Sequence, residues 1–346
     1  MTRPAYYDST RAQSYNAVYN FIISNRNYGK TWGAQKRAFV RGWKHGKRTL
    51  WVRRFKKEQR QALDKLYKSS NLCKFVGAEW YDKDTKQGNL KQNGRKFFCK
   101  RNGKWFCFLE VINLAESKAM RSADDIAFDT IVFDEFTTTV DEYRLFKGDE
   151  VTKFVDLFFS LKRESSIKCF FFGNKESVSN PYFNYFSIRP LPAEYEGIRT
   201  YRGGSILIEQ INNPQKIKNE YDRKVERMLK GTPYGAYLGN EYKNAQNVIT
   251  ERVPKNSILY AQFDFNGFKF AIRRSGSNYY VTSKLVQNET VYCDLAKNKY
   301  RKERVLLKSH KKYFDALLNA YSCGKVKYTS AVEYESFLLF LNWLSI

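Results

Sequence analysis

Apolar residues in this chain fall in short runs separated by polar turns, and the run lengths set the first expectations. Tyr19-Asn20-Phe21-Ile22-Ile23 has strand character, Ser24 to Gly29 reads as a polar turn, and Lys30 to about Lys44 holds good helix formers with Gly46 just beyond. Thr49-Leu50-Trp51-Val52, β-branched and aromatic, predicts a second strand. Strand, helix, strand in succession implies a parallel α/β unit. Arg95-Lys96-Phe97-Phe98-Cys99-Lys100 and Lys104-Trp105-Phe106-Cys107-Phe108-Leu109 flank Arg101-Asn102-Gly103, and Asn-Gly between apolar runs predicts a hairpin. Asp129–Phe133 and Ile167–Phe172 are continuous apolar runs, the pattern of strands buried on both faces of a parallel sheet. Between them Val151, Phe154, Val155, Phe158 and Phe159 recur at helical spacing.

The pattern loosens from about 198 to 230, through Tyr201-Arg202-Gly203-Gly204 and Asn212-Asn213-Pro214 to a charged helical stretch from Lys216 to Lys230. A linker or small connecting subdomain is expected there. After Gly231-Thr232-Pro233-Tyr234-Gly235 come strand-like runs at Ile258–Phe265, Lys269–Arg273, Tyr279–Thr282 and Thr290–Cys293, then helical segments at 309–321 and 331–345. Strands followed by helices predict a compact α+β domain. The expected division is therefore 1–197, 198–230 and 231–346.

Composition narrows the function. Of 346 residues, 61 are Lys or Arg and 35 are Asp or Glu, a formal charge of +26. The excess is spread over the chain, +18 before residue 231 and +8 after it, so it is not a basic tail. Such a charge favours a polyanionic partner, most simply nucleic acid. Aromatic residues make up 17%, enough for large cores and for base or sugar stacking. No apolar stretch approaches the length of a membrane span, and the first residues lack the apolar core of a signal peptide. The six cysteines form no CxxC pair and there are only two histidines, His45 and His310, so neither a structural zinc site nor a disulfide framework is expected. A soluble, reduced, intracellular protein is the resulting expectation.

Two segments carry candidate chemistry. Ser24-Asn25-Arg26-Asn27-Tyr28-Gly29-Lys30-Thr31 matches the phosphate-loop pattern G-x-x-x-x-G-K-[ST] except at its first position, where Ser24 replaces glycine. Backbone N–H groups of such a turn converge on phosphate oxygens at a helix N-terminus; Lys30 would reach the β- and γ-phosphates and Thr31 would ligate Mg²⁺. Thr130-Ile131-Val132-Phe133-Asp134-Glu135 is an apolar strand delivering adjacent carboxylates, Asp134 for the metal and Glu135 for the attacking water. Asn174, ending Cys169-Phe170-Phe171-Phe172-Gly173-Asn174, is a candidate partner for the γ-phosphate or that water, although a simple turn reads equally well. Candidate cations for the transferred phosphoryl group are Arg26, Arg53, Arg54, Arg121, Lys162 and Arg163.

Residues 26–60 hold 13 Lys or Arg and one acid, Glu58; residues 297–312 hold eight and one, Glu303. Interleaved Trp43, Trp51, Phe55, Tyr300 and Tyr313 make both stretches candidate nucleic-acid surfaces. In the second domain Asp264, Asp294, Glu333 and Glu335 form a sparse acidic set for a two-metal nuclease, and Asp264 and Asp294 read equally well as turn residues.

The chain resembles the DNA-packaging ATPases of small phi-29-like podoviruses. The resemblance is carried by Ser14-Tyr15, Asn20-Phe21-Ile22, Gly29-Lys30-Thr31, Val52-Arg53-Arg54-Phe55-Lys56, Thr130 to Phe136, Asn180-Pro181-Tyr182-Phe183 and Gly231 to Gly235, in the same order along most of the chain. It implies an additional-strand, RecA-like P-loop ATPase domain with a mainly parallel sheet. It also implies a smaller carboxy-terminal α+β domain resembling an RNase H nuclease that has lost its activity. ATP and Mg²⁺ are the implied cofactors, with Lys30, Thr31, Asp134 and Glu135 in the roles given above. A trans-acting arginine falls at Lys162, with Arg163 beside it, and a second trans-acting cation at Arg121. The implied assembly is a homopentameric ring that docks on the viral portal in the host cytoplasm, is bridged in that family by a packaging RNA, and drives double-stranded DNA into the capsid. Two alternatives stand beside it: a packaging terminase with a working nuclease, and a basic nucleic-acid-binding protein whose loop is coincidental.

Overall fold

The computed structural model describes residues 7–25, 28–117, 127–137, 150–162, 166–175, 181–186, 188, 191, 195–212, 224, 227–229, 251–265, 268–293 and 304–345. The chain divides into two compact units: residues 1–175, 193–230 and 238–240 in the first, and residues 176–192, 231–237 and 241–346 in the second.

In the first unit, α1 (Thr10–Ser14), β1 (Tyr19–Ser24), α2 (Lys30–His45), β2 (Thr49–Arg53), α3 (Lys56–Lys65) and α4 (Ser70–Val76) are followed by β3 (Leu90–Asn93), β4 (Lys96–Arg101) and β5 (Lys104–Asn113). Then come β6 (Thr130–Asp134), α5 (Glu150–Lys162), β7 (Lys168–Asn174), β8 (Gly197–Tyr201) and β9 (Ile206–Ile211). The described strands form one nine-stranded sheet in the order β3-β4-β5-β2-β6-β7-β1-β9-β8. The central pairs β5·β2, β2·β6, β6·β7, β7·β1 and β1·β9 are parallel, while β3, β4 and β8 join antiparallel at the two edges. Strand β7 lies between the phosphate-loop strand β1 and the acidic strand β6, as the additional-strand expectation requires.

Every residue of β1, β2 and β6 is buried, which is why these runs carry no alternation. Their side chains divide between two layers because successive residues face opposite sides. Ile22, Trp51, Val132, Phe170 and Phe172 join a core with Phe39 of α2, Leu72 of α4 and Phe108 of β5. On the opposite side Phe21 stacks on Phe171 at 4.3 Å and Phe133 lies 5.8 Å from Phe154 of α5. Helix α2 lies close on the sheet: a Cβ placed on Gly42 would stand 2.3 Å from the Cβ of Phe108.

One expectation is overturned. Residues 198–211 are not part of a linker: β8 and β9 form a hairpin, and β9 adds to β1 with all six residues buried. Gly203 and Gly204, read as loose chain, are the hairpin turn, with φ of 64° and 85°. Ile206-Leu207-Ile208 is a buried-strand run that the neighbouring glycines disguised. The charged stretch 216–230 lies outside the described residues except for 224 and 227–229.

The second unit contains α6 (Pro181–Tyr185), β10 (Ile258–Phe265), β11 (Phe268–Ser275), β12 (Asn278–Thr282), β13 (Val291–Cys293) and β14 (Arg304–Leu306). A 3₁₀ helix (Leu307–Phe314), α7 (Asp315–Ser322), β15 (Val326–Tyr328) and α8 (Ala331–Ser345) complete it. Its sheet order is β14-β13-β10-β11-β12-β15. Strands β10, β11 and β12 are antiparallel, and β13, β14 and β15 add in parallel. Phe263, Phe270, Phe314, Phe337 and Phe340 form its core, an α+β arrangement as expected. The helical segment expected at 309–321 is instead a 3₁₀ helix, kinked at His310, running into α7.

Candidate nucleotide site and family

The first candidate segment is a strand–turn–helix. Strand β1 ends at buried Ser24, and α2 opens at Lys30 behind Gly29, whose φ of 71° is left-handed and suits glycine. The Lys30 side chain turns back over the loop: Nζ donates to Ser24 Oγ at 2.6 Å, to the Asn25 carbonyl at 3.3 Å and to Asn174 Oδ1 at 3.2 Å. Ser24 thus supplies a hydroxyl where the pattern has glycine, and that hydroxyl donates in turn to the Asn25 carbonyl at 2.9 Å. Burial pushes the Lys30 ammonium down to about 7, against the opposing pull of Asp134 and Glu135.

The acidic strand reaches the same place. Thr31 Oγ1 donates to Asp134 Oδ1 at 3.0 Å, joining residues 103 positions apart. Burial raises the Asp134 carboxyl above its ordinary value, and Arg53, at 3.0 Å from Oδ2, pulls it back. Arg53 also donates to Glu135 Oε2, so one guanidinium bridges both carboxylates. Burial disfavours the charge on Arg53, yet Asp134 and Glu135 outweigh it and raise its pKa. Glu135 has left the strand: its φ is 61°, a left-handed backbone that costs a non-glycine residue about 1–2 kcal/mol, and its side chain is exposed.

Of the residues singled out in the sequence, Ser24, Asn25, Gly29, Lys30, Thr31, Asp134, Glu135 and Asn174 meet at the carboxyl ends of β1, β6 and β7. Tyr28 packs against Tyr7, with ring centroids 6.3 Å apart. Arg26, Asn27, Arg121 and Arg163 lie outside the described residues, and Lys162 ends α5 with its residue exposed. Arg53 and Arg54, expected as cations for a phosphoryl group, are engaged within the unit. Arg54 is fully buried, bonded to Glu150 at 2.6 Å and to the Phe136 carbonyl at 2.8 Å.

Sequence reasoning missed Thr137, whose hydroxyl donates to the Asn174 carbonyl at 2.8 Å and ties the exit of the acidic strand to the end of β7. A small residue where the strands approach is the usable signal: a Cβ on Gly173 would stand 2.5 Å from Thr137 Oγ1. Also missed was the buried bond from Tyr7 Oη to Glu209 Oε2 at 2.7 Å, which links the chain before β1 to β9. In the second unit Asp264 is buried in β10. Glu333 accepts from the Ser283 amide at 3.1 Å and from Ser330 Oγ, a structural use of its carboxylate. Asp294 lies outside the described residues.

Residues 1–339 match the family described as Podovirus DNA encapsidation protein (Gp16). The chain belongs to that family. The encapsidation chain is 26% identical over 274 residues to the DNA packaging protein of Bacillus phage phi29, covering 79% of this chain and 76% of that protein. It is 25% identical over 336 residues to the DNA packaging protein of Bacillus phage B103, covering 94% and 98%. Its fold is similar to a chain of the bacteriophage Phi-29 viral genome packaging motor assembly, with a TM-score of 0.66 at 22% identity over 98% of this chain and 99% of that one. The expected family and fold class are thereby met. Among its described residues no helix is long and apolar enough to cross a membrane.

Proposed function

We propose that this encapsidation protein hydrolyses ATP to drive double-stranded DNA through a portal into a viral capsid. The observation that carries the proposal is the 3.0 Å contact between Thr31 and Asp134, which unites a phosphate-loop helix with the acidic strand. Lys30, now held by three oxygen acceptors, would exchange them for the β- and γ-phosphate oxygens of the nucleotide. A hydroxyl beside a carboxylate is an all-oxygen donor set that suits Mg²⁺, so Thr31 and Asp134 are the residues to hold it. Bound there, the ion would neutralise charge on the phosphate oxygens. Glu135, exposed at the strand end, would orient the attacking water and take its proton. Asn174 is the amide within reach of the γ-phosphate.

Residues 1–175 together with the β8–β9 hairpin would form the ATPase domain, the rest of 193–230 the connection, and 231–346, joined by 176–192, a basic nucleic-acid-binding domain. The cation completing the site would come from a neighbouring subunit in a ring, with Arg121, Lys162 and Arg163 as its candidates; exposure of Lys162 supports such a donor. The portal and a packaging RNA are the proposed partners, and the host cytoplasm with transient attachment to the procapsid the proposed location. Occupation of the Glu333 carboxylate by Ser283 and Ser330 favours a domain without nuclease chemistry. The decisive measurement is ATP hydrolysis with and without duplex DNA, with Lys30→Ala as control. DNA-stimulated turnover that vanishes in the variant supports the reading; no turnover in the wild type supports a purely structural nucleic-acid-binding protein.

A further inference from the structure

At the opposite ends of the same strands the charge pattern is different. Thr49, Thr130 and Lys168 begin β2, β6 and β7, at the sheet edge away from the phosphate loop, and Thr130 is the register neighbour of Lys168. Above them α2 projects Arg37 and, one turn on, Arg41. A narrow pocket there is lined by Ser9, Arg37, Arg41, Thr49, Thr130 and the Phe170 ring, with room for a single water-sized atom. Arg41 Nη1 donates to Thr130 Oγ1 at 2.8 Å. The Arg37 guanidinium lies over the Phe170 ring at 6.0 Å, and its Nε is buried with no hydrogen-bond acceptor.

Among the described residues no carboxylate forms an ion pair with Arg37, Arg41 or Lys168. Asp8 accepts from the Thr10 amide and hydroxyl at 2.9 and 2.6 Å. Asp129 pairs with Lys47 at 2.7 Å and accepts from the Arg48 amide at 2.9 Å. Burial and then Arg41 push the Arg37 guanidinium down to about 10, against the opposing pull of Asp8 and Tyr7, and burial, Arg37 and Arg41 lower the Lys168 ammonium. Like charges gathered around hydroxyls, with a buried donor left over, are costly in a free protein and favourable once an anion arrives.

The geometry points to an oxyanion site of the phosphate class, in which Arg37, Arg41 and Lys168 grip the anion and one of its oxygens enters the pocket between Thr130 and Ser9. The anion is held from outside because only one atom fits within. Inorganic phosphate and a nucleic-acid phosphodiester share that chemistry. The site is independent of the nucleotide reading, since it uses the other end of the sheet and none of the loop residues.

The test uses the full chain carrying Lys30→Ala, so that phosphate captured at the loop does not obscure the result. Thermal unfolding is measured in phosphate and in chloride at matched ionic strength, for this chain and for the same chain with Arg37→Gln and Lys168→Gln. Phosphate is expected to raise Tm in the parent, and the double variant to lose that rise with binding weakened about tenfold or more, the worth of one charge-assisted hydrogen bond. In chloride the variant is expected to melt higher than its parent, because mutual repulsion has been removed. Lys168→Gln alone serves if the double variant folds poorly. A phosphate-induced rise of equal size in parent and variants would overturn the site. Duplex DNA binding at several salt concentrations then assigns the source. A salt slope reduced by about one in the variant identifies a phosphodiester; an unchanged slope with the phosphate response lost identifies free phosphate.

Discussion

The two ends of the large sheet hold buried charge in opposite ways. At the carboxyl ends of β1, β6 and β7 the buried charges among the described residues have partners: Arg53 spans Asp134 and Glu135, and Lys30 rests on three oxygens. At the amino ends of β2, β6 and β7, Arg37 and Arg41 line a pocket with Ser9, Thr49 and Thr130, and their charge disfavours that of Lys168. Helix α2 runs between the two sites, with Lys30 at its first turn and Arg41 near its last. Matched charge lets a site stand complete before its ligand arrives, while unmatched charge stores a demand for one. Polar chemistry at both ends therefore rests on a single apolar framework of Phe39, Trp51, Phe108 and Val132.

The sharpest way to break the contrast is to remove the reacting group while keeping the matched charges nearly intact. Glu135→Gln is expected to lower ATP turnover by about 10²–10⁴-fold, the usual worth of a general base, with nucleotide binding retained. Unchanged turnover would remove Glu135 from the mechanism. Next in size is the match itself. Arg53→Ala leaves Asp134 buried without its cation and should cost about 3–5 kcal/mol of stability by chemical denaturation. Loss of only a few tenths would show that the pair contributes little and that the loop edge is no better matched than the opposite one.

The helix between the sites gives a third test. Gly42→Ala drives a Cβ against Phe108 and should cost about 1–3 kcal/mol, since a packed core resists overfilling. If α2 acts as a rod, nucleotide binding at Lys30 weakens along with stability; if only stability falls, the two ends are independent. The smallest step expected, counted per unit of pH, is in pH dependence. Lys30 titrates near 7 when folded and near 10.5 when unfolded, so between those values the unfolded chain binds more protons. Stability of the nucleotide-free protein should accordingly rise with pH from about 7 to 10, by at most about 1.4 kcal/mol per unit from this group. Below about pH 6 Lys30 contributes almost no slope. Lys30→Met should flatten the rise, and an equal rise in that variant would assign it elsewhere.

Much of this was legible along the chain. The runs at Tyr19–Ile23, Thr49–Val52, Asp129–Phe133 and Ile167–Phe172 became the central strands, because strands buried on both faces need unbroken apolar sequence. Gly29-Lys30-Thr31 and Asp134-Glu135 were visible as motifs because their residue types are dictated by phosphate and metal chemistry. Strand β9 was hidden by the glycines of its own hairpin, and β14 and β15, three residues each, are too short to show a period.

The sequence by itself determined the alternation of strands and helices, the strong positive charge and the residue types able to hold a nucleotide, since these depend on local preference and on chemistry carried by single side chains. Only the tertiary structure decided which charges became neighbours. Arg53 was one of six candidate cations for a phosphoryl group until β2 paired with β6 and placed it between two carboxylates. Arg37 and Arg41 were two of 13 basic residues in a candidate nucleic-acid stretch until α2 crossed the sheet and left them beside Thr49 and Thr130. The energy of a charge is set by what surrounds it, and for residues 81 or more positions apart that surrounding exists only in the folded chain.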